Sequence, residues 1–220
     1  MGKFLVCLCF FLLLLTHTSD SQQKSSVSSA VRTAYMAELE IVSEEASCTA
    51  TAIGPHAILT ATHCDKSDRW IIRNGDNFAV AQIVERITDA ADHSIFLLDG
   101  VTFVDLVKVN LNDPADMAEN VFTIGNPGNF KDYYQRGYIQ GFMPANPDKD
   151  IPRDELLYSF PSFSGASGSG IFNENGELID VISQVIPQTL PGEYMQSTGG
   201  FPLNFKTADI DRAVTFVPKK

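Results

Sequence analysis

The pattern of apolar and polar positions predicts many short β-strands. Most apolar or alternating runs are short and are bounded by Gly, Pro, Asn or Asp, which is typical of strands joined by tight turns. Only residues 208–216 have helical periodicity, with Ile210 and Val214 on one face and Thr207 as the expected N-cap. The pattern therefore indicates an all-β sandwich or barrel fold with a short C-terminal helix.

The predicted strands fall into two halves. Those of the first half are 31–42, 48–53, 57–62, 70–73, 78–87, 94–98 and 103–109, with a hairpin turn at Asn74-Gly75. Those of the second half are 120–124, 133–142, 156–160, 171–172 and 177–186, with a turn at 173–176. Residues 111–114, Leu-Asn-Asp-Pro, are typical of a linker, so we expect one domain at 31–112 and another at 113–220.

The N-terminus has the pattern of a secretory signal. Lys3 precedes an apolar run at 4–15, and small polar residues follow at 16–21. The run is shorter than the roughly 20 residues that span a bilayer, which disfavours an uncleaved anchor. We therefore expect a signal peptide at 1–21, a polar, flexible leader at 22–30 and a secreted or periplasmic protein without stable membrane insertion.

Composition narrows the classes of partner. The chain has 220 residues, of which 44% are hydrophobic and 20% charged, as in a globular protein with one or two cores. Its formal net charge of −11 disfavours nucleic acid and anionic membrane surfaces, which would repel it. A monomer is the default expectation.

Two cysteines remain after the apolar run that contains Cys7 and Cys9. In an exported protein, Cys48 and Cys64 are expected to form a disulfide that contributes about 3 kcal/mol. A zinc site with His56 and His63 is the alternative, although the spacing matches no familiar set of zinc ligands.

Candidate chemistry lies in three places. Residues 164–172 contain three glycines, and a serine in such a turn, Ser167, exposes its hydroxyl beside free backbone N–H groups. A plain Gly/Ser loop would have the same composition. His63 ends an apolar strand, where a general base would be rigidly held. Asp92 precedes another apolar strand and could orient an imidazole, or it could be surface charge like Asp89. His93 is expected to be exposed on the opposite side of that strand.

The order of these residues excludes one class of hydrolase. All four histidines, at positions 17, 56, 63 and 93, precede Ser167. An α/β-hydrolase has its catalytic histidine after the serine, so Ser167 does not fit that class. The order His63, Asp92, Ser167 is that of chymotrypsin.

Three motifs resemble those of the chymotrypsin-like serine proteases. Residues 60–64, Thr-Ala-Thr-His-Cys, resemble the histidine signature, 92–97 resemble the aspartate segment, and 165–170, Gly-Ala-Ser-Gly-Ser-Gly, resemble the serine motif. Residues 123–128 and 175–179 look more like the bacterial trypsin-like peptidases, including the high-temperature-requirement and glutamyl endopeptidase groups. The resemblance extends over about 31–217.

The resemblance implies a fold and a set of roles. The fold would be two six-stranded antiparallel Greek-key β-barrels, with His63 and Asp92 in the first and Ser167 in the second. Ser167 would be the nucleophile, His63 the general base and Asp92 its orienting carboxylate. The N–H groups of Gly165 and Ser167 would form the oxyanion hole. The Cys48–Cys64 disulfide matches the one this family places around its histidine, and neither metal nor cofactor is required.

The residues around the serine bear on activation and specificity. Ala166 replaces the aspartate that pairs with a new N-terminus in pancreatic-type enzymes, so that activation switch is not available. The resemblance implies that Pro161, six residues before Ser167, would form the floor of the specificity pocket, where no carboxylate would select Arg or Lys. The remaining predicted substrate-binding residues are Phe163, Ser164 and Ser183. We expect an endopeptidase acting on proteins or peptides. An inactive protease-like binding domain and an esterase are the alternatives.

Overall fold

The computed structural model describes residues 28–112, 116–128, 130–145, 154–190 and 193–219. Its elements in chain order are α1 (Ser29–Ala37), β1 (Glu38–Val42), β2 (Ser47–Gly54), β3 (Ala57–Ala61), β4 (Arg69–Asn74), β5 (Asn77–Thr88), β6 (His93–Asp99), β7 (Asn120–Gly125), β8 (Tyr133–Met143), β9 (Glu155–Tyr158), β10 (Gly170–Asn173), β11 (Leu178–Val181), β12 (Gln184–Leu190), β13 (Glu193–Gly200) and α2 (Thr207–Thr215). The predicted all-β architecture is confirmed.

The first six strands form a closed antiparallel barrel in the order β1-β2-β3-β6-β5-β4. Every residue of β3 is buried, and β6 is buried up to its last residue, so both strands lie in the core of the barrel. They pair in antiparallel register, with Ala61 opposite His93. The chain that leaves β3 therefore lies beside the chain that enters β6.

The remaining strands form one seven-stranded sheet in the order β11-β10-β7-β8-β9-β13-β12. The largest apolar core contains barrel residues together with Phe122, Phe172 and Leu178 of this sheet, so the two sheets share a packed interface. The run predicted as one strand at 177–186 is divided. β11 ends at Val181 and β12 begins at Gln184, and Ser183 lies in the break.

The strand predicted at 31–42 is wrong in its first half, which forms helix α1. The hydroxyl of Ser28 accepts a hydrogen bond from the N–H of Val31 at 3.3 Å, and Ala34 and Ala37 are completely buried. A capped segment with small residues facing the protein favours a helix over a strand. The signal peptide and most of the leader predicted at 22–30 lie outside the described residues, and the end of that leader belongs to α1.

Three smaller predictions also need correction. Residues 103–109 form no strand and make one isolated bridge, between Val109 and Leu178. The hairpin after β4 turns at Gly75 and Asp76, because Asn74 pairs with Asn77. The N-cap of α2 is Lys206 rather than Thr207.

Helix α2 packs on the first barrel through a face shifted from the predicted one. Ala213 is completely buried and Ile210 packs against the core, whereas Val214 is 46% exposed. A Cβ on Gly54 would lie 2.3 Å from the carbonyl oxygen of Ala213, so glycine allows this close approach. Among the described residues, no helix is long and apolar enough to cross a membrane.

Candidate active site

His63 and Asp92 lie side by side at the adjacent ends of β3 and β6. The N–H of Thr62 donates to the carbonyl oxygen of Asp92 at 2.8 Å. The carboxylate of Asp92 accepts from the N–H of His63 through Oδ1 at 2.9 Å, and Oδ2 lies 2.8 Å from Nδ1 of the ring. The same carboxylate therefore orients both the backbone and the imidazole of His63.

Asp92 is held as an ionised acceptor. Burial alone would raise its pKa, but hydrogen bonds from His63 and from the hydroxyl of Ser183 lower the pKa of Asp92 below its ordinary value. An ionised carboxylate accepts only, so Nδ1 of His63 carries a hydrogen and Nε2 is left to accept a proton. The backbone of Asp92 has a φ of +64°, an unfavourable conformation that often marks a functional site.

Ser167 lies against the first barrel, close to the residue that follows His63. Its carbonyl oxygen accepts from the N–H of Thr49 at 2.8 Å and lies 3.9 Å from Sγ of Cys64, the residue after His63. Within the described residues, neither the Ser167 hydroxyl nor Nε2 of His63 makes a hydrogen bond. Catalytic hydrogen bonds are often loose in the absence of substrate, so this arrangement is compatible with a nucleophile and its base.

Glycine is needed on both sides of Ser167. Gly168 has a φ of +81°, and a Cβ there would lie 2.1 Å from the carbonyl oxygen of Thr49 and 2.2 Å from Oγ1 of Thr60. Gly165 has a φ of +92°, and a Cβ there would lie 2.8 Å from the carbonyl oxygen of Asn126. Left-handed backbone and close packing together exclude larger residues.

Some backbone amides of the serine turn donate hydrogen bonds and others do not. Ala166 donates to the carbonyl oxygen of Phe163 at 3.0 Å, Gly168 donates to that of Ile182 at 2.8 Å, and Ser169 donates to that of Ala166 at 2.9 Å. The N–H groups of Gly165 and Ser167 donate to no acceptor in the described parts of the chain. Two such amides, with one residue between them, could stabilise an oxyanion.

The serine turn is supported by residues that the sequence analysis did not identify. Thr49 Oγ1 donates to the carbonyl oxygen of Gly165 at 3.1 Å and accepts from the N–H of Asn126 at 3.0 Å. The amide side chain of Asn126 donates to buried Glu38, at the start of β1. The motif Gly-Asn-Pro-Gly at 125–128 indicated a turn and a family resemblance, but nothing in the sequence linked it to Glu38.

The four predicted substrate-binding residues differ in their exposure to solvent. Pro161 and Ser164 are exposed, and Phe163 is 48% exposed, so all three are accessible at the surface of the turn. Ser183 is only 8% exposed, and its hydroxyl donates to Asp92. Its contact with the carboxylate was not foreseen, and substrate binding by these four residues stays a prediction.

The predicted disulfide between Cys48 and Cys64 is present. Both sulfurs are therefore unavailable as zinc thiolates, and the zinc alternative is wrong. His56 instead places Nδ1 2.6 Å from the carbonyl oxygen of Val101. Within the described residues, no group of three or more His, Cys, Asp or Glu could hold a metal ion.

Replacing Cys48 by Ser should destabilise the protein by about 3 kcal/mol, because the unfolded chain gains the freedom of a loop that the bond now closes. Thermal unfolding of Cys48→Ser should show the lower midpoint. Reduction of the wild type should lower its midpoint by a similar amount, whereas the variant should not respond to reductant. A variant as stable as the oxidised wild type would contradict this expectation.

The prediction that His93 is exposed is wrong. Its side chain is completely buried, with Nδ1 2.7 Å from Oδ2 of Asp89 and Nε2 3.3 Å from Oδ1 of Asp180. The side chain of Asp89 is only 2% exposed and is not surface charge. Alternation along one strand shows which face a residue occupies. It does not show that a second sheet covers that face.

Comparisons with known proteins identify the family and the fold. The family model described as "Trypsin-like peptidase domain" matches residues 48–180. No curated protein matches the chain. Many solved structures match, among them the inactive form of the Rv3671c protease of M. tuberculosis. That structure has a TM-score of 0.63 and 19% identity over 79% of this chain and 87% of its own.

Two further solved structures are similar. A serine-to-alanine mutant of Rv3671c has a TM-score of 0.62 and 17% identity, over 78% of this chain and 84% of its own. A serine endoprotease from Yersinia pestis has a TM-score of 0.60 and 19% identity, over 79% of this chain and 61% of its own. At such identities the likeness supports the chymotrypsin-like fold, in which the second of the two predicted six-stranded barrels is here a seven-stranded sheet. The family model covers more than half of the sequence. This chain belongs to the trypsin-like peptidase family.

Proposed function

We propose that this protein is an exported serine endopeptidase that works through Ser167, His63 and Asp92 and an acyl-enzyme intermediate. The observation that carries the proposal is the pairing of an ionised Asp92 with His63 Nδ1, beside a serine turn with two unused amides. These are the parts of a Ser-His-Asp hydrolase, and membership of a peptidase family favours peptides over other acyl compounds.

In the first half of the proposed reaction, the Ser167 hydroxyl oxygen bonds to the scissile carbonyl carbon while its proton passes to Nε2 of His63. The charge that develops on the carbonyl oxygen faces the N–H groups of Gly165 and Ser167. Each such donor contributes about 3 kcal/mol to lowering the barrier. The proton then moves from His63 to the amine as the carbon–nitrogen bond breaks, which leaves the acyl group on Ser167.

In the second half, water takes the place of the amine. The oxygen of the water bonds to the acyl carbon while His63 accepts a proton from the water. His63 then returns the proton to the serine oxygen as the ester bond to Ser167 breaks. Asp92 stabilises the imidazolium that forms in both halves. These steps are carried out by side chains and amides of the protein.

Export rests on the N-terminal pattern of residues 1–21 and on the disulfide, since disulfides persist in oxidising compartments. Activity does not depend on a new N-terminus pairing with a carboxylate beside the nucleophile, because Ala166 occupies that place and is buried. The folded chain should therefore be active without that activation step.

A fluorophosphonate probe tests the proposal. The folded protein should be labelled once, on the peptide that contains Ser167, and a peptide library should yield cleavage products whose formation the probe abolishes. A protein that remains folded but neither reacts with the probe nor cleaves peptides would instead be a protease-like binding domain. Labelling with hydrolysis of esters but not of peptides would indicate an esterase.

A further inference from the structure

A buried charged cluster joins the two sheets directly behind the candidate active site. His93 begins β6 in the first barrel, and Asp180 lies on β11 in the second sheet. The side chains of His93 and Asp180 are completely inaccessible. The proposed mechanism uses neither group, and burying unpaired charges would be costly, so the cluster calls for a physical explanation.

Hydrogen bonds favour the ionised form of both carboxylates in the cluster. Burial raises the pKa of Asp180 above its ordinary value, and hydrogen bonds from His93, Tyr158 and the N–H of Val181 oppose that effect. Asp180 accepts from the phenol of Tyr158 at 2.6 Å through Oδ2 and from the N–H of Val181 at 2.7 Å through Oδ1. Asp89 accepts from the N–H of Ala91 at 2.8 Å through Oδ1 and from the N–H of Asn204 at 2.9 Å through Oδ2. Every carboxylate oxygen is therefore an acceptor.

The ionisation of both carboxylates determines the state of the ring between them. Nδ1 of His93 faces Asp89, and Nε2 faces Asp180. A neutral imidazole has only one donor, and two ionised carboxylates cannot donate in return. Both ring nitrogens therefore carry hydrogen, and His93 is an imidazolium. Burial alone would lower the pKa of His93, but its hydrogen bonds to Asp180 and Asp89 raise it to about 9.

The cluster and the carboxylate of Asp92 involve the same two segments of the chain. Asp92 immediately precedes His93, and Ser183, which donates to Asp92, follows Asp180 by three residues. Two links therefore join the same segments of the two sheets: Asp92 with Ser183, and His93 with Asp180. Because the backbone of Asp92 has an unfavourable φ of +64°, it must be held by its surroundings.

We propose that His93 is a positioning residue for the reaction: as an imidazolium bonded to both Asp89 and Asp180, it ties the barrel to the second sheet and holds Asp92 against His63. The proposal rests on the proposed function for its kinetic consequence. It adds a role for a buried cation that touches no substrate and acts only through Asp92.

Two other titratable groups near the cluster, Tyr158 and Glu155, also have raised pKa values. Burial, and then the charge on Asp180, raise the pKa of Tyr158 well above its ordinary value, so its phenol remains a donor. Burial raises the pKa of Glu155 on β9 to about 7, and the charge on Asp180 also raises it. The charge on Glu119 also raises the pKa of Tyr158. A transition near pH 9 is therefore distinguishable from the titration of Glu155.

The sign of the pH effect follows from the raised pKa. The unfolded His93 has a pKa of about 6.5, so its charged link stabilises the fold fully below that pH and is lost as pH rises through about 9. We expect an alkaline fall in kcat with a midpoint near this value, while KM changes little.

The first measurement is the titration of the wild-type histidines by nitrogen-resolved NMR. One imidazole should remain doubly protonated to about pH 9, and its signal should be absent from His93→Gln. The proton on His63 Nδ1 provides a second signature, because its low-field resonance reports the hydrogen bond to Asp92. A His93 that is neutral at pH 7 would overturn the proposal.

The second measurement is the kinetics of His93→Gln, with His56→Gln as the matched control. His93→Gln should lower kcat between tenfold and about a hundredfold, since small displacements of catalytic groups have effects of this size, with KM within about twofold. It should also lose the alkaline fall and shift the His63 Nδ1–H resonance. His56→Gln should behave as wild type. Wild-type kcat and an unshifted resonance in His93→Gln would overturn the proposal.

A double variant covers the case in which His93→Gln does not fold. His93→Gln with Asp180→Asn removes the buried cation together with one of its two counter-charges, so it should fold and yet retain the kinetic defect. Wild-type kcat in this variant would overturn the positioning role. The results also distinguish failure of one proposal from failure of the other. A wild type without activity contradicts the proposed peptidase function. An active wild type whose kcat is equalled by the His93 variants contradicts only the role of His93.

Discussion

Replacing Ser167 by Ala should lower kcat on a cleavable peptide on the order of 10⁶-fold, because the proposed acyl-enzyme forms on its hydroxyl. The oxyanion amides and the binding surface would remain, so slow hydrolysis above the rate in water is expected. The melting temperature should barely change, since the Ser167 hydroxyl makes no hydrogen bond within the described residues and the backbone bond to Thr49 is unaffected.

Ser169 provides the matched control because it lies two residues away in the same turn. Its hydroxyl is buried and has no hydrogen-bond partner within the described residues. Ser169→Ala should keep wild-type activity and fluorophosphonate labelling, and it should be as stable as the wild type or more so, because a buried unsatisfied group is removed. If Ser169→Ala abolished labelling and Ser167→Ala did not, the assignment of the nucleophile would be wrong.

Replacing Asp92 by Asn should lower kcat near neutral pH by about 10⁴-fold with little change in KM. An amide at this position can turn its N–H₂ group toward Nδ1 of His63, which favours the tautomer with hydrogen on Nε2. His63 then cannot accept the proton of Ser167. Steady-state kinetics and the loss of the low-field His63 Nδ1–H resonance would together check this expectation.

Asp68 provides a control for the loss of a carboxylate from the same barrel. It is paired with Arg86 but is 73% exposed, and exposed ion pairs contribute about 0–1 kcal/mol. Asp68→Asn should therefore keep both kcat and stability close to those of the wild type. Equal losses of kcat in Asp68→Asn and Asp92→Asn would mean that the effect comes from the net charge of the protein rather than from the orientation of His63.

The sequence predicted those parts of the site in which the chemistry imposes a pattern on neighbouring residues. Small residues around Ser167 were recognisable because left-handed backbone and close packing at Gly165 and Gly168 exclude larger side chains. His63 was recognisable because it ends an apolar strand next to Cys64. The prediction was less successful for helix α1, since alanines that pack against a protein surface carry little periodic signal of their own.

The sequence by itself determined the β-rich architecture, the disulfide partners and the residues from which a Ser-His-Asp site could be built. Strand periodicity, turn residues and the motif around each of these residues are local properties, readable within a few neighbouring positions. The tertiary structure alone decided that Ser183 contacts Asp92, that Thr49 and Asn126 hold the serine turn, and that His93 is buried between two carboxylates. Apart from the contact of His93 with Asp89, each of these contacts joins residues distant in the chain, so the sequence near one residue does not identify its partner.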